Sequence, residues 1–370
     1  MTGRLFESFR FGAALLRNRI VMAPMTRRRA PGGVPTSDMA NYYARRAAAD
    51  VGLIITEGVS IAHEGAAGYE NVPVFFGLEA TRGWERIVRD VHREGGHIAV
   101  QLWHVGSVRR ASETVGAAPG YGPCEIFENG KRVAIGMDLP EIINVQRAYA
   151  QAAHLAHELG FDGIELHGAH GYLLDQFMRA ETNHRTDSYG GEMVMRMRFA
   201  VETVQQIRAV VPRQFPLIFR FSQWKADNYD AKMVESPHEL GEFTRHLVDA
   251  GVDFLHPSTR RFWTPAFEGS DKSLAHWTRE VSGVPVIGVG SVGLDKAHGL
   301  TGGKGRDLTQ VDANVVDLSL LMQQMELGAF DLVAVGRALL ADPEWVPKVK
   351  SGLYGSITPL TRRAYEELVI

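Results

Sequence analysis

Eight short apolar runs, spread along the whole chain and separated by helical patterns, restrict the fold more than any other feature of this sequence. Each run is rich in Val, Ile, Leu and Phe and lacks strict polar alternation, which is typical of a parallel strand covered on both faces. We therefore expect eight buried parallel strands. The runs lie at 19–25, 51–58, 97–104, 162–168, 216–221, 252–258, 284–290 and 331–337.

The segments between the runs repeat apolar residues at helical spacing. Residues 144–160 predict a helix with an N-cap at Asn144 and a closing Gly160, and a second helix opens with the capping box of Ser236 and Glu239. Eight strands alternating with helices predict a (β/α)8 TIM barrel. A doubly wound open sheet would also alternate, but the strand count and the unbroken pattern favour the barrel.

The chain is longer than a minimal barrel, and the surplus is confined to a few segments. We expect one barrel domain over 1–370, with loop insertions at about 105–143 and 293–316. The first insertion contains a predicted hairpin around Asn129 and Gly130. Residues 5–18 predict an N-terminal hairpin that plugs the bottom of the barrel.

Composition excludes several classes of protein. A hydrophobic fraction of 45%, a charged fraction of 22% and a net charge of -3 are ordinary for a globular protein and predict no nucleic-acid partner. No apolar run reaches the roughly 18 residues of a transmembrane helix, and the N-terminus lacks a secretory pattern. The single Cys124 permits neither an internal disulfide nor an iron–sulfur cluster. We expect a cytoplasmic protein without a membrane partner, as a monomer or a small homo-oligomer.

In a barrel the functional residues lie where the strands end and the following loops begin. The residues at these positions include few carboxylates, and they are rich in neutral donors, cations and glycines. This composition favours holding a flat, anionic ligand over hydrolysis. Gly290 and Gly336 end the seventh and eighth strands, and Arg337 follows, which is a typical phosphate-binding arrangement.

His167 at the end of the fourth predicted strand, with His170 and Tyr172 just beyond it, forms the most distinctive group of these residues. From the residues alone, the two histidines are compatible with a metal pair, a structural role or catalysis. The metal interpretation lacks an obvious third ligand. Tyrosine is also common as a half-buried packing residue, so Tyr172 draws its interest from the neighbouring histidines.

Six segments resemble those of the old yellow enzyme family of FMN-dependent ene-reductases, in the family's order and over nearly the whole chain. The most specific pattern consists of "HGAHGYLLDQFM" and, further along the chain, "NHRTDSYGG". The resemblance implies the TIM-barrel fold, a non-covalent FMN, and NADH or NADPH as hydride donor. The others are "RIVMAPMTR", "HIAVQLWHVG", "SVG" and "LVAVGRALLADPEW".

The resemblance also implies which residues bind the cofactor. Pro24 and Thr26 would face the flavin, and Gly58 would offer backbone. Gln101 would bind the pyrimidine edge, and Arg220 would offset the negative charge of the reduced ring. The phosphate would lie at the last two strand ends. The implied cofactor residues are Ala23, Pro24, Met25, Thr26, Gly58, Gln101, Arg220, Gly290, Ser291, Gly336 and Arg337.

For the substrate, the resemblance implies that His167 and His170 bind a carbonyl or nitro oxygen and that Trp103 lines the pocket. Hydride would pass from flavin N5 to the β-carbon of an activated alkene, and Tyr172 would protonate the α-carbon. Reduction of nitro compounds or nitrate esters at the same site is an open alternative, and a non-catalytic flavin-binding barrel is a more distant one.

Some residues depart from the family pattern or have no assigned role. His170 is asparagine in a good part of the family, and the stretch after the fifth strand is less typical. Residues 27–29 are three arginines that predict a solvated loop, with the phosphate of NADPH as an alternative partner. Glu57 follows the second strand without an evident role.

Overall fold

The computed structural model describes residues 3–109, 116–297 and 311–370, in which a barrel of parallel strands is surrounded by helices. Thirteen strands lie within these ranges: β1 (Phe9–Phe11), β2 (Ala14–Leu16), β3 (Ile20–Met22), β4 (Leu53–Ser60), β5 (Ile98–Trp103), β6 (Gly120–Gly122), β7 (Ile126–Glu128), β8 (Lys131–Gly136), β9 (Gly163–His170), β10 (Leu217–Lys225), β11 (Phe254–Ser258), β12 (Ile287–Val289) and β13 (Leu332–Val335). Eleven α-helices lie within the same ranges: α1 (Ser37–Ala48), α2 (Leu78–Arg93), α3 (Leu139–Glu158), α4 (Leu173–Met178), α5 (Met193–Arg208), α6 (Pro237–Ala250), α7 (Leu274–Ser282), α8 (Ser319–Glu326), α9 (Arg337–Ala341), α10 (Trp345–Lys350) and α11 (Arg362–Glu366).

Eight strands form one parallel sheet in the order β11-β10-β9-β5-β4-β3-β13-β12. The two edge strands meet again, because Leu255 of β11 forms a parallel bridge with Val286, directly before β12. Each of the eight predicted apolar runs contributes one strand to this sheet. The prediction of a (β/α)8 TIM barrel is therefore confirmed.

Both faces of the barrel strands are apolar, which explains why the runs lack polar alternation. In β3, Val21 belongs to the cluster that fills the barrel, whereas Met22 belongs to the cluster under the helices. Leu53 and Ile54 in β4 divide in the same way. Successive side chains of a strand point to opposite faces, so a strand that is covered on both sides needs apolar residues at consecutive positions.

The N-terminal hairpin closes the bottom of the barrel as predicted. Strands β1 and β2 pair antiparallel, and Phe11 and Leu16 join the cluster in the barrel interior. The ring of Phe11 lies 5.0 Å from the ring of Phe254, which begins β11. The hairpin therefore covers the end of the barrel where the strands start.

The first insertion forms a small sheet beside the barrel, in the order β6-β8-β7. Strands β7 and β8 are the predicted hairpin, and its turn residues Asn129 and Gly130 have φ values of 50° and 76°. Positive φ at both central residues is the requirement of a type I′ turn, which Asn-Gly satisfies.

Helix α3 begins earlier than expected, so the prediction of an N-cap at Asn144 is wrong. The side chain of Asp138 accepts a hydrogen bond from the backbone N–H of Glu141 at 2.9 Å and caps the helix there. A proline at the second helical position fits this start, because the first N–H groups of a helix have no partner within it. Residues 139–143, at the end of the predicted insertion, therefore belong to α3.

Helix α6 has the predicted N-cap and C-terminal glycine, but the capping box is incomplete, because Glu239 Oε2 accepts from the backbone N–H of Glu235 and not from that of Ser236. Ser236 Oγ accepts a hydrogen bond from the backbone N–H of Glu239 at 3.2 Å, and Gly251 ends the helix with a φ of 121°. No helix within the described ranges is long and apolar enough to cross a membrane.

Only the two ends of the second predicted insertion, 293–316, can be described, because residues 298–310 lie outside the described ranges. The ends are held together, since Leu294 and Val315 form an antiparallel bridge. The segment thus leaves and rejoins the barrel near one point, directly after β12.

Candidate active site

A cavity of about 300 Å³ opens where the barrel strands end. Its wall includes every residue that the sequence predicted for the cofactor, the substrate and catalysis except Gly58. Positions as distant in the chain as 23 and 337 are thereby brought to one site. The residues are Ala23, Pro24, Met25, Thr26, Gln101, Trp103, His167, His170, Tyr172, Arg220, Gly290, Ser291, Gly336 and Arg337.

Gly58 lies behind the cavity wall and not on it. A Cβ atom at this position would lie 2.6 Å from the indole of Trp103 and 3.3 Å from Oε1 of Gln101. A glycine is therefore required here for the close packing of two wall residues. The assignment of Gly58 as a direct cofactor contact stays a prediction.

Two layers of polar side chains form the floor of the cavity. In the lower layer Gln101 and Glu165 are in register, and Gln101 Nε2 donates to Glu165 Oε1 at 2.7 Å. In the upper layer His167, Arg220 and His256 are in register across β9, β10 and β11. His256 Nδ1 lies 2.6 Å from Glu165 Oε2, and Arg220 Nη1 lies 4.0 Å from Glu165 Oε1. The buried carboxylate therefore orients the glutamine and balances the charge of the arginine.

Sequence reasoning missed Glu165 and His256, although a usable signal existed. Glu165 precedes His167 by two positions, so both side chains point to the same face of β9. A charged residue on the inward face of a buried strand requires a partner inside the barrel. The identity of that partner depends on the register of β9, β10 and β11.

The two imidazoles of the central motif lie side by side on one wall. The ring centroids of His167 and His170 are 5.0 Å apart, with the planes nearly perpendicular. Burial, with the nearby charge of Arg220 as a further cause, holds the pKa of each imidazole well below its usual value. Both rings are therefore neutral near pH 7, and each can donate one N–H.

A buried ion pair braces the turn that carries these residues. Asp175 Oδ2 accepts hydrogen bonds from the backbone N–H of Gly171 and from Nε of Arg179, both at 2.7 Å. Arg179 Nη2 in turn donates to the backbone oxygen of Ser222 in β10 at 2.9 Å. The turn after β9 is thus tied to the neighbouring strand, which fixes the residues between them.

Tyr172 lies beside His167 on the same wall. Its ring centroid is 5.0 Å from that of His167 and 4.9 Å from that of Trp103. Its hydroxyl lies 3.4 Å from the hydroxyl of Tyr69, a residue that sequence reasoning did not single out. Tyr69 is partly exposed, so this contact connects Tyr172 with the outer surface.

A second wall consists of aromatic and cationic side chains from the atypical stretch after the fifth predicted strand and from the loop after the sixth. Strand β10 runs on to Lys225, beyond the predicted end at 221, and so carries Trp224 into the cavity. The indole of Trp224 stacks on His170 at 4.3 Å, and the guanidinium of Arg260 lies over the ring of Tyr229 at 4.1 Å. The atypical stretch after the fifth strand therefore shapes the cavity.

The end of the cavity at β12 and β13 has the form of an anion site. Gly290 has a φ of 136°, and a Cβ there would lie 2.7 Å from the backbone oxygen of Thr259. Ser291 has a φ of 51°, and Arg337 Nη2 lies 3.4 Å from Ser291 Oγ. These residues bring backbone groups, a hydroxyl and a guanidinium to one place, as phosphate binding requires.

The expectation of a solvated loop at 27–29 is wrong for Arg27. Its side chain is buried, and Nη2 donates to the backbone oxygens of Ala364 at 2.8 Å and Glu367 at 2.7 Å. Arg27 thereby holds the C-terminal segment at the cavity, where Tyr365 lines the wall. Arg28 and Arg29 are exposed as expected.

Glu57 supports the loop from below. Its Oε2 accepts hydrogen bonds from the backbone N–H groups of Arg27 at 2.9 Å and Arg28 at 3.3 Å. Burial raises the pKa of this carboxyl to about 7, and the two backbone hydrogen bonds oppose the shift. The loop that follows β3 therefore rests on a titrating carboxyl group.

Within the described ranges, no group of three or more His, Cys, Asp and Glu side chains is arranged to hold a metal ion. His167 and His170 accordingly have no third ligand among these residues. Their surroundings are instead the aromatic rings of Trp103, Tyr172 and Trp224. This environment favours hydrogen bonding to an organic ligand.

Comparison with known proteins places this site in a defined group. A family model described as the NADH:flavin oxidoreductase / NADH oxidase family matches residues 4–356. The NADH oxidase of Thermoanaerobacter brockii is 34% identical over 371 residues, which cover 95% of this chain and 52% of that protein. The chain thus spans about half the length of this relative.

Two solved structures share the fold over almost the whole chain. A morphinone reductase in complex with tetrahydroNAD is 27% identical with a TM-score of 0.79, covering 98% of this chain and 93% of that one. An old yellow enzyme homologue from Zymomonas mobilis is 27% identical with a TM-score of 0.77, covering 98% and 96%. Both likenesses extend through the strands that carry the cavity.

Proposed function

Because the chain belongs to the NADH:flavin oxidoreductase / NADH oxidase family, we propose that it is an ene-reductase that reduces the double bond of α,β-unsaturated carbonyl compounds. Its membership of the old yellow enzyme family, expected from the sequence, is confirmed. It is an oxidoreductase with FMN and a nicotinamide as cofactors. The reduction of an activated alkene as the second half-reaction is what we propose.

The residues around the cavity fit FMN. Nε of Arg220 is buried and has no hydrogen-bond partner among the described residues, which leaves a donor for a flat anionic ring. Gly290, Ser291 and Arg337 fit the phosphate, because their backbone and side-chain groups converge at one end of the cavity. When bound, FMN supplies the hydride chemistry that links the nicotinamide to the substrate.

The observation that carries the proposal is the pair of neutral imidazoles, His167 and His170, on one wall of this cavity. Two N–H donors directed at one substrate oxygen would polarise the conjugated double bond. They would also stabilise the negative charge that develops on that oxygen during reduction. Because His167 is buried and His170 is covered on one face by Trp224, these hydrogen bonds act in a medium of lower dielectric constant than water, where they are stronger.

Tyr172 is the group proposed to protonate the substrate carbon. Its ring packs against Trp103 and His167, with centroid separations of 4.9 and 5.0 Å, which holds the phenol beside the imidazole pair. The contact with Tyr69, which is partly exposed, offers a route for the hydroxyl to regain its proton from solvent. A positioned general acid of this kind contributes about 10²–10⁴ in rate.

The visible spectrum of the purified protein under anaerobic conditions tests the proposal. NADH or NADPH is expected to bleach the flavin bands, and 2-cyclohexenone is expected to restore them. Reoxidation by oxygen alone, with no response to the enone or to a panel of other activated alkenes, would contradict the ene-reductase assignment. The membership of the family would be unaffected by that outcome.

The variant Tyr172→Phe separates the two half-reactions. We expect it to slow enone-dependent reoxidation by about a hundredfold or more, since a general acid is lost, while flavin reduction by NADH changes little. Tyr149→Phe is the matched control, because Tyr149 is buried in α3 and its hydroxyl has no partner among the described residues. Equal losses in both half-reactions of Tyr172→Phe would indicate a structural role.

A further inference from the structure

Contacts on both the ring and the backbone hold His170 in place. Trp224 stacks on one face of the ring, and His170 Nε2 lies 2.8 Å from Ser258 Oγ. The backbone of His170 has a φ of 66°, a left-handed conformation that is uncommon for a residue with a Cβ. It is stabilised by a hydrogen bond from its N–H to Ser222 Oγ at 3.0 Å and one from the N–H of Ala226 to its oxygen at 3.2 Å.

Ser258 lies between His170 and a permanent cation. Arg220 Nη2 donates to Ser258 Oγ at 3.2 Å. The direction of this bond is fixed, because a guanidinium group contains only hydrogen-bond donors. The backbone oxygen of Ser258 is also occupied, because Trp224 Nε1 donates to it at 3.0 Å. The Ser258 side chain is buried at the end of β11, so its hydroxyl has few choices of partner.

The hydroxyl of Ser258 has one hydrogen to donate, and of its two hydrogen-bond partners among the described residues only His170 Nε2 is able to accept it. If Nε2 instead carried a proton and donated to Ser258, the hydroxyl hydrogen would have no acceptor among the residues that the structure describes. Buried polar hydrogens are almost always paired, and leaving one unpaired is costly. The arrangement in which every hydrogen is used has Nε2 unprotonated and the single ring proton on Nδ1.

We propose that Ser258 is a positioning residue that sets the tautomer of His170. Arg220 holds Ser258 as its acceptor, Ser258 donates to Nε2 of His170, and His170 is left with Nδ1–H as its donor to the substrate oxygen. The proposal rests on the proposed function for the identity of that oxygen. The tautomer itself does not depend on the substrate.

Nitrogen NMR of the histidine-labelled holoenzyme tests the tautomer without any substrate. A protonated and an unprotonated ring nitrogen of a neutral imidazole give well separated signals, and the His170→Asn variant assigns those of His170. We expect Nδ1 of His170 to be protonated and Nε2 to be unprotonated in the wild type. A proton on Nε2 would overturn the proposal, whether or not the protein reduces enones.

A pair of substitutions of equal shape tests the consequence for binding. Ser258→Thr keeps the hydroxyl and Ser258→Val removes it, so a packing defect is common to both variants. We expect kcat/KM for 2-cyclohexenone to fall about tenfold more in Ser258→Val than in Ser258→Thr, the loss typical of one hydrogen bond. Equal values for the two variants would refute a role for the hydroxyl.

The same pair in the His170→Asn background distinguishes tautomer control from general support of the site. An amide side chain always has N–H donors and has no tautomer to set, so the difference between Thr and Val should shrink to less than about twofold. An undiminished difference in this background would show that Ser258 acts on the site by another route. If the wild type reduces no enone, the NMR result still decides the tautomer.

Discussion

At the scale of single residues, burial decides what each ionisable group of the site can do. It keeps His167 and His170 neutral, and it raises the pKa of Glu57 to about 7, from an ordinary value of 4.5. The imidazoles therefore act as neutral hydrogen-bond donors. The carboxyl of Glu57 changes its charge near neutral pH, directly beneath the loop that leads from β3 into the cavity.

The raised pKa of Glu57 predicts a stability that falls as the pH rises. Between pH 4.5 and 7 the native state retains a proton that the unfolded state releases, so the free energy of unfolding decreases with pH over this window. Glu57→Gln cannot titrate, so we expect it to remove this pH dependence. The free energy of unfolding of the variant relative to that of the wild type should then rise by roughly 3 kcal/mol from pH 4.5 to 8. Denaturant unfolding of the holoenzyme at several pH values measures the difference.

Glu79→Gln serves as the control for this measurement, because Glu79 is exposed on the first turn of α2. The free energy of unfolding of the Glu79→Gln variant relative to that of the wild type should stay constant over the same pH range. A pH-independent difference between Glu57→Gln and the wild type would show that the Glu57 carboxyl does not titrate between the two states in this window.

At the scale of elements, opposite ends of the barrel have separate tasks. The strand ends and the loops after them carry the cavity, whereas the hairpin of β1 and β2 closes the other end. In barrels, residues at the end where strands begin contribute to stability, and residues at the opposite end contribute to chemistry. The hairpin should therefore affect unfolding without affecting the flavin.

The variant Phe11→Ala tests this division. Phe11 is fully buried and packs against Phe254, so its truncation is expected to lower the free energy of unfolding by about 3–5 kcal/mol. Leu15→Ala, on the exposed side of the same hairpin, should change it by no more than about 0.5 kcal/mol. Denaturant unfolding and the flavin spectrum of the folded protein are the two measurements.

The expected result is a less stable Phe11→Ala protein whose flavin spectrum matches that of the wild type. Loss of FMN from a folded Phe11→Ala variant would show that the hairpin also supports the cavity. Similar destabilisation by Leu15→Ala would contradict the packing account of the hairpin.

At the scale of the whole molecule, the cavity joins strands from all around the barrel, so a ligand bound there stabilises the entire fold. Any ligand that binds the native state alone raises stability by mass action, by about 2.7 kcal/mol at 100 times its Kd. For FMN, part of this gain should come from the phosphate end at Gly290, Ser291 and Arg337.

Thermal unfolding of the flavin-free protein measures that contribution. We expect FMN to raise Tm by several degrees, and riboflavin, which lacks the phosphate, to raise it much less at the same concentration. Arg337→Leu should reduce the gain from FMN and leave the gain from riboflavin nearly unchanged. Equal shifts for the two flavins with the wild-type protein would show that the phosphate does not bind at Gly290, Ser291 and Arg337.

Local patterns in the sequence were sufficient to predict the barrel and most of the cavity wall. Apolar residues at consecutive positions indicate a strand covered on both faces, and the residues at the end of such a strand or just after it lie at the catalytic end of a barrel. His167, Arg220 and Gly290 were placed correctly by this rule. The start of α3 was missed, because Asp138 as a cap follows a glycine-rich insertion with no clear periodicity.

The sequence by itself determined the eight strands, the barrel and the set of residues at its mouth, because these depend on the spacing of neighbours along the chain. Only the tertiary structure decided which side chains meet: Glu165 with Gln101 and His256, Arg27 with the C-terminal segment, and Trp224 and Ser258 with His170. Such contacts join positions far apart in the chain. They depend on the register between strands and on the paths of the loops, which no local spacing specifies.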